Sequence, residues 1–268
     1  MFPPHVTDQA RAHAAECFPT ESCGLVLATL SEDTFAYEPH QNLAPNPENN
    51  FLIDSAGLVN AMKSGLLRAV VHSHPHPAPP CPSASDMEAQ IAFEIPWGIV
   101  PVNAAGEAAE PFFFGDQAPR PWIDRARVIG PAALTGLPYR HGVTDCYTVI
   151  RDYFIAVRNV TLPDVPRGWH GDVPAGVELD LYSKLLQPEF GFTQIAHCAA
   201  LPGDVLLIMT GAAEHANHAA VLVSNDHLLH HAGGVNAWDE DKKSAIDLAS
   251  RWQKHVTMVL RHCSAYKK

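Results

Sequence analysis

Residues 70–75, Val-Val-His-Ser-His-Pro, and the tetrapeptide Ser-Ala-Ser-Asp at residues 83–86 decide the fold of the first half of the chain. Side chains two residues apart on a strand point to the same face, so His72 and His74 can hold one ion together. Asp86 adds a carboxylate. Two imidazoles and one carboxylate, with a fourth position left for water, form the ligand set of a catalytic zinc site. The sequence therefore predicts Zn²⁺ bound by these three residues.

A metal site of this kind also needs a general base, and Glu21, just before the apolar run Cys23–Leu30, can supply it. Each part has a simpler interpretation. An H-x-H pair arises easily by chance in a chain with 16 histidines. Ser83 with Asp86 also fits a helix start, in which the serine caps the first turn. Only the combination of these residues indicates a metal site.

Glu21 in ESCGLVL, followed by HSHP and S-x-x-D, resembles the signature of the JAMM (MPN-domain) metallopeptidases. The resemblance covers residues 1–115 and implies a cytidine-deaminase-like α/β sandwich. One feature departs from the family pattern. The gap from His74 to Asp86 is one residue longer than usual and runs through a proline-rich loop.

The JAMM resemblance implies a role for each residue of the motif. His72, His74 and Asp86 would bind zinc, and Glu21 would transfer protons. Ser83 would help to stabilise the tetrahedral intermediate.

A second group of candidate residues begins at residues 139–146, Tyr-Arg-His-Gly-Val-Thr-Asp-Cys, which lead into a predicted helix. Cys146 at the helix N-terminus would feel the positive end of the helix dipole, which favours thiolate. His218 begins a predicted strand, and a hairpin could bring either His230 or the adjacent His231 beside it. Periodicity does not distinguish these two histidines. A cysteine at a helix start is also often a small buried residue without catalytic function.

The pattern Y-x-x-G and D-C, followed by PGDVLL, NHAAVLV and LLH, resembles the NlpC-type family of papain-like cell-wall endopeptidases. The resemblance covers residues 136–268 and implies a papain-like α+β domain. It implies Cys146 as nucleophile, His218 as base and His230 as the polar third member. Tyr139 would lie near the catalytic pocket and contact substrate. The insert between the cysteine and the base exceeds that of minimal members, and we expect it to shape specificity.

The two resemblances predict an α+β chain of two domains. We expect a JAMM/MPN-type domain at residues 1–115 and an NlpC-type domain at residues 136–268. Residues 116–135 lose periodicity and carry three prolines, which is typical of a linker. Within the first domain, residues 31–50 are polar and contain several prolines, so we expect them to be mostly loop.

Composition narrows the classes of function. A net charge of −11 disfavours a nucleic-acid partner held by phosphate contacts. No apolar run reaches the roughly 18 residues needed to span a bilayer, so we expect no membrane span. The N-terminal residues show no signal-peptide pattern, which predicts synthesis in a cytoplasm. The six cysteines include no C-x-x-C pair and are expected to be reduced thiols.

A JAMM-type domain followed by an NlpC-type domain in 268 residues resembles the tail assembly protein K family of lambda-like phages. This resemblance implies other tail-tip and hub proteins as partners and peptidoglycan stem peptides as substrate. It implies assembly in the host cytoplasm, then a place at the virion tail tip, with action at the host cell wall or periplasm. The zinc site would cleave an amide or isopeptide bond in a substrate that the sequence does not identify.

Two other functions are compatible with the sequence. The protein could be mainly a structural tail-tip component or assembly factor, with one or both peptidase sites idle. It could instead be a cytoplasmic deubiquitinase-like or amidase enzyme, which the NlpC-type half of the chain disfavours.

Overall fold

The structure is a computed structural model that describes residues 2–29, 34–169, 181–211, 213–233 and 236–266. The chain folds into two compact units, Met1–Pro119 and Arg120–Lys268. Among the described residues, none of the helices is long and apolar enough to cross a membrane.

The first unit is built on a five-stranded sheet with the strand order β2-β1-β3-β4-β5. Neighbouring strands are antiparallel except β3 and β4, which run parallel. Its elements, in chain order, are α1 (Pro4–Cys17), β1 (Cys23–Ala28), β2 (Phe35–His40), α2 (Ser55–Lys63), β3 (Leu67–Pro75), α3 (Ala84–Phe93), β4 (Trp97–Val102) and β5 (Phe112–Phe114).

The central strand β3 gives the two histidines of the H-x-H pair a common direction. Ala69 and Val71 pack into the core beneath α1. Because side chains alternate along a strand, His72 and His74 point to the opposite face of the sheet. The strand extends to Pro75, so both histidines lie within it.

The expectation that residues 31–50 are mostly loop is wrong for residues 35–40, which form β2. This strand lies at the edge of the sheet, and among the described residues its one partner strand is β1. Pro39 is tolerated there because an edge strand leaves one row of backbone N–H groups without a neighbouring strand. Because residues 35–40 are partly polar and contain a proline, the alternation rule alone does not predict the strand that they form.

The second unit contains a six-stranded antiparallel sheet with the order β12-β10-β9-β8-β13-β7, and a two-stranded sheet of β6 and β11. Its elements are α4 (Pro121–Ile129), β6 (Pro138–Arg140), α5 (Cys146–Tyr153), β7 (Phe192–Ile195), β8 (Val205–Ile208), β9 (His218–Leu222), β10 (His227–His230), β11 (Trp238–Lys243), β12 (Ala245–Leu248) and β13 (Val256–His262).

The larger sheet has an apolar cluster on each face. Ala219 and Val221 of β9 belong to the main core, which also contains Val149 and Ile150 of α5. The alternate residues of β8 to β10 pack in a second cluster that includes Trp252 at its margin. Helix α5 thus lies beside β9, the strand that begins at His218.

The structure differs from the prediction of a linker at residues 116–135. Helix α4 occupies much of this stretch, and its Ile123 and Ala126 are buried. Arg120 and Trp122 both donate to the carboxylate of Asp152 on α5. Pro121 stands at the first helical position, where a missing N–H costs nothing, so the prolines were misleading here.

Candidate active sites

The first candidate site brings His72, His74 and Asp86 together, as the sequence predicts. The two Nε2 atoms of the histidines are 3.1 Å apart. Asp86 Oδ1 lies 3.3 Å from Nε2 of His72, and Oδ2 lies 3.4 Å from Nε2 of His74. All three residues are buried. The extra residue in the loop before Asp86 therefore does not displace the carboxylate from the histidines.

These three separations fit a divalent cation. A tetrahedral zinc site with bonds of about 2.0–2.1 Å places neighbouring ligand atoms about 3.3–3.4 Å apart. His74 Nδ1 lies 2.8 Å from the Pro79 carbonyl oxygen, to which it can donate. That bond leaves Nε2 of His74 free of a proton and available as a ligand. The donor set and its spacing are thus compatible with a metal.

Ser83 lies at the N-cap of α3, and its contact is with the aspartate of the cluster. Its hydroxyl donates to Asp86 Oδ2 at 2.7 Å, and its backbone N–H donates to the same atom at 2.8 Å. Asp86 N–H donates back to the serine oxygen, which completes a capping box. The helix cap and the fixed orientation of the Asp86 carboxylate are therefore the same set of hydrogen bonds.

Glu21 is buried beside this cluster and interacts electrostatically with all three of its members. Burial raises the pKa of the Glu21 carboxyl, and the nearby His72 and His74 oppose that rise. Burial alone would also raise the pKa of Asp86, yet the two histidines hold it well below its usual range. Glu21 therefore lies close enough to the cluster to act as a proton-transfer group beside it.

A half-open cavity of about 450 Å³ adjoins Glu21. Its walls come from α1, the end of β2 and the following loop. Asn42 organises that loop, since its side-chain amide donates to the Glu21 and Asn50 carbonyl oxygens at 2.9 Å. Glu21 therefore lines a cavity that opens to solvent.

The second candidate site begins at Cys146, the first residue of α5. Asp145 caps the helix by accepting from the Thr148 N–H at 2.9 Å. The Gly142 N–H also donates to this carboxylate, and Gly142 has φ of 74°, which explains the glycine of the Y-x-x-G pattern. The thiol lies 2.9 Å from the hydroxyl oxygen of Tyr182.

The thiol also lies against β9. The backbone N–H of Ala219 donates to Cys146 Sγ, and His218 is the residue just before Ala219. His218 Nε2 lies 3.1 Å from Nδ1 of His230. The indole of Trp252 packs on both imidazoles, with ring centroids 5.4 Å and 4.8 Å away. The structure thus places the thiol of Cys146 against the backbone at the start of β9 and pairs the side chains of His218 and His230 with each other.

His231 turns away from this group. Its Nε2 lies 2.8 Å from the Leu137 carbonyl oxygen, and its ring packs edge-on against Tyr139 at 5.2 Å. Of the two adjacent histidines that periodicity could not separate, His230 is therefore the partner of His218. Tyr139 is buried against His231, whereas the tyrosine in contact with the thiol is Tyr182.

Burial dominates the electrostatics of this site. It raises the pKa of the Cys146 thiol to about 11, an effect that the Asp145 carboxylate reinforces. Burial, followed by the charge of His230, lowers the pKa of His218 to about 3. The helix dipole favours thiolate at Cys146, and desolvation of the buried sulfur opposes it.

A buried arginine holds the nucleophile turn. Arg167 Nε donates to Asp145 Oδ2 at 2.7 Å and its Nη2 donates to Oδ1 at 3.1 Å. Its remaining contacts reach the Thr148 hydroxyl, Asp164 Oδ1 and the Val165 carbonyl at 2.8–2.9 Å. A bidentate pair of this kind fixes the orientation of the Asp145 carboxylate and also balances its charge. The insert that follows α5 is thereby attached to the residue that precedes Cys146.

Replacing this arginine should destabilise the second unit strongly. Arg167→Met leaves the Asp145 carboxylate buried without its partner, which we expect to cost about 3–5 kcal/mol of unfolding free energy. Arg127→Met breaks the exposed pair of Arg127 with Asp124 and should cost about 1 kcal/mol or less. Hydrogen exchange of the α5 backbone measures both. Equal protection of the α5 amides in the two variants would show that Arg167 stabilises the second unit no more than Arg127 does.

Sequence reasoning missed three residues of the second site: Arg167, Tyr182 and Trp252. Arg167 lies in a proline- and glycine-rich stretch without periodicity, and Tyr182 begins a short 3-10 helix at Tyr182–Leu186. Neither position belongs to a motif. The strong helix cap at Asp145, directly before the cysteine, was the signal that a cationic partner is needed, since a buried carboxylate is rarely unpaired.

Family comparisons agree with both halves of the chain. Residues 136–261 match the NlpC/P60 family, and residues 3–111 match the prokaryotic homologs of the JAB domain. These matches confirm the predicted two-domain fold. A solution structure from Desulfitobacterium hafniense is 24% identical, covers 44% of this chain and 85% of its own, and has a TM-score of 0.32. That TM-score is too low to add support.

Two relatives resemble most of the chain. Tail tip assembly protein K of Escherichia phage lambda is 31% identical over 208 residues, which are 76% of this chain and 86% of the relative. Tail tip assembly protein K of Escherichia phage N15 is 26% identical over 258 residues, which are 95% of this chain and 93% of the relative. The predicted family is thus confirmed, and the chain belongs to the tail tip assembly protein K family.

Proposed function

We propose that the protein takes part in building a phage tail tip and that its second unit is a cysteine endopeptidase acting on peptidoglycan stem peptides. The observation that carries the peptidase proposal is the arrangement at one end of β9. Cys146 Sγ accepts a hydrogen bond from the backbone N–H of Ala219, the residue after His218. His218 Nε2 lies 3.1 Å from Nδ1 of His230. A thiol, a base and an orienting group are the three parts of a nucleophilic hydrolase.

The proposed reaction starts from a neutral thiol and a neutral imidazole. His218 Nε2–H donates to His230 Nδ1, which leaves Nδ1 of His218 as the proton acceptor. As Cys146 Sγ attacks the peptide carbonyl, its proton passes to His218. Collapse of the tetrahedral intermediate breaks the C–N bond, and His218 protonates the leaving amine. Water then hydrolyses the thioester, returning the acid product and the free thiol.

For the first unit we propose a zinc-dependent amide or isopeptide hydrolase. His72, His74 and Asp86 would hold the ion, and Ser83 would keep the Asp86 carboxylate in its orientation. When bound, zinc polarises a carbonyl and supplies a nucleophile from water at neutral pH. Glu21, with its raised pKa, would hold and release the proton. The ligand separations near 3.3 Å support this proposal.

The tail relatives support a location for both activities. We propose that the protein is synthesised in the host cytoplasm, joins other tail-tip and hub proteins, and reaches the cell wall or periplasm with the virion. The relatives' name, tail tip assembly protein, supports the assembly role. In this setting the stem peptides of the wall are the substrate within reach of the second unit.

The direct test of the peptidase proposal is digestion of purified peptidoglycan by the purified full chain. Mass spectrometry of the soluble products should show fragments that end within the stem peptide, with new amino and carboxyl termini. Cleavage only in the sugar chain, or no soluble product from a folded chain, would contradict the proposal.

Acidification should destabilise the second unit through its buried histidines. The folded chain lowers the pKa of His218 to about 3, whereas the usual pKa of a histidine is 6.5. Between these values the unfolded chain binds a proton that the folded chain excludes. Stability is therefore fully present above about pH 6.5 and is lost as pH falls toward 3. The protection factors of the β9 backbone amides, which correct for the intrinsic exchange rate at each pH, should fall over that window.

The matched variant is His218→Gln, which removes the titrating group at the same position. In this variant the protection of the β9 amides should depend less on pH. The remaining dependence would come from His230 and His231, because burial lowers the pKa of both. An unchanged pH dependence in this variant would contradict the assignment to His218.

A further inference from the structure

The tyrosine beside the catalytic thiol comes from the insert that follows α5. Tyr182 begins the 3-10 helix Tyr182–Leu186, and its hydroxyl oxygen lies 2.9 Å from Cys146 Sγ. Tyr139, the tyrosine of the Y-x-x-G pattern, instead packs against His231. The residue in contact with the reacting atom is therefore one that no motif of the sequence indicates.

Tyr182 is a fixed core side chain. It is 3% exposed and belongs to the same apolar cluster as Leu185, Phe190 and the residues of α5. Within the described residues, its hydroxyl has one hydrogen-bond partner, the sulfur of Cys146. Because packing holds the ring, the hydroxyl stays directed at the sulfur without the entropy cost of ordering a surface side chain.

The chemistry of the pair sets the direction of this hydrogen bond. Burial, together with the adjacent thiol, raises the pKa of the Tyr182 phenol well above its usual value, so the phenol keeps its proton. Once Cys146 has lost its proton, the sulfur can only accept, and the tyrosine must be the donor. A hydrogen bond to an ionised acceptor is about twice as strong as a neutral one.

We propose that Tyr182 is a catalytic residue that stabilises the Cys146 thiolate by donating its phenolic proton in a hydrogen bond. This inference rests on the proposed peptidase function of Cys146. The thiolate then has two donors, the Tyr182 hydroxyl and the backbone N–H of Ala219. They counteract the burial that otherwise disfavours ionisation of the sulfur, so that a proton can pass to a weak base such as His218.

The test is alkylation of Cys146 by iodoacetamide at pH 8, followed at its own peptide by mass spectrometry. Tyr182→Phe removes only the hydroxyl and keeps the ring in the core. Loss of a charge-assisted donor should slow alkylation about three- to tenfold, because part of the lost thiolate is offset by its higher nucleophilicity. Cys198 of the same chain is exposed and gives an internal reference rate.

The matched control is Tyr153→Phe. Tyr153 is buried in the same apolar cluster, and its hydroxyl bonds to Arg158. Its removal should leave the Cys146 rate unchanged, and near-ultraviolet circular dichroism checks that both variants keep wild-type packing. Unchanged or faster alkylation in folded Tyr182→Phe would overturn the proposal, and faster alkylation would show that the tyrosine shields the thiol.

Peptidoglycan digestion by the same variants separates this inference from the function on which it rests. Turnover by Tyr182→Phe should fall roughly tenfold if the thiolate is the nucleophile. Alkylation needs no substrate, so its outcome judges the Tyr182 hydrogen bond even if the wild-type chain leaves peptidoglycan intact. Failure of the wild-type chain to digest peptidoglycan would contradict the peptidase function alone.

Discussion

His74→Ala is expected to remove zinc from the protein. The wild-type chain, purified and dialysed against zinc, should carry about one ion, since the three ligands and one open position describe a single tetrahedral site. Removing one of three buried ligands should weaken affinity by more than about 100-fold, because even loss of an outer hydrogen-bond partner costs 10- to 100-fold. Metal content measured by mass spectrometry would then fall close to zero.

The matched control for this experiment is His76→Ala. His76 lies two residues further along, is exposed, and is absent from the His72, His74 and Asp86 cluster. Its zinc content should equal that of the wild type. A folded wild-type chain without zinc, or His74→Ala with full occupancy, would contradict the metal site and leave the first unit as a structural domain.

The sequence predicted the parts of both sites that depend on spacing. Two histidines at i and i+2 share a face on any strand, and a serine three residues before an aspartate makes a helix cap wherever a helix follows. His72 therefore lies beside His74, and Ser83 beside Asp86, for local reasons. The twelve-residue separation of His218 and His230 works in the same way, because a hairpin returns the chain beside itself.

The residues that the sequence did not predict depend on distant packing. Arg167 meets Asp145 across 22 positions, and Tyr182 meets Cys146 across 36, through a stretch without periodicity. The linker interpretation failed for a related reason. Trp122 and Arg120 bind Asp152 on α5 some thirty positions away, so these residues gain their order from tertiary contacts.

Burial of the Cys146 sulfur opposes the effect of the helix dipole on its ionisation. A cysteine at a helix start suggests an ionised thiol, yet the structure buries the sulfur and raises its pKa to about 11. Sequence shows the direction of the helix dipole but not the solvent exposure of the sulfur. The proposed mechanism therefore moves the thiol proton during attack and does not begin with an ion pair.

The second large effect is expected from Cys146→Ser. The substitution replaces the thiol by a hydroxyl that can still bond to Tyr182, and the fold should be unaffected. Serine ionises far less readily than cysteine, and a base with its pKa lowered to about 3 cannot compensate for that difference. We expect turnover of purified peptidoglycan to fall by at least about a thousandfold. Cys198→Ser, at an exposed cysteine, should keep wild-type turnover.

The most direct test of a peptidase with Cys146 as nucleophile compares the wild type with Cys146→Ser on the same peptidoglycan. The quantity measured is the rate at which stem-peptide fragments are released. The wild type should release fragments steadily and the variant almost none, with equal circular dichroism spectra. Equal release by both chains would show that the second unit does not use Cys146. No release by either would contradict the peptidase function itself.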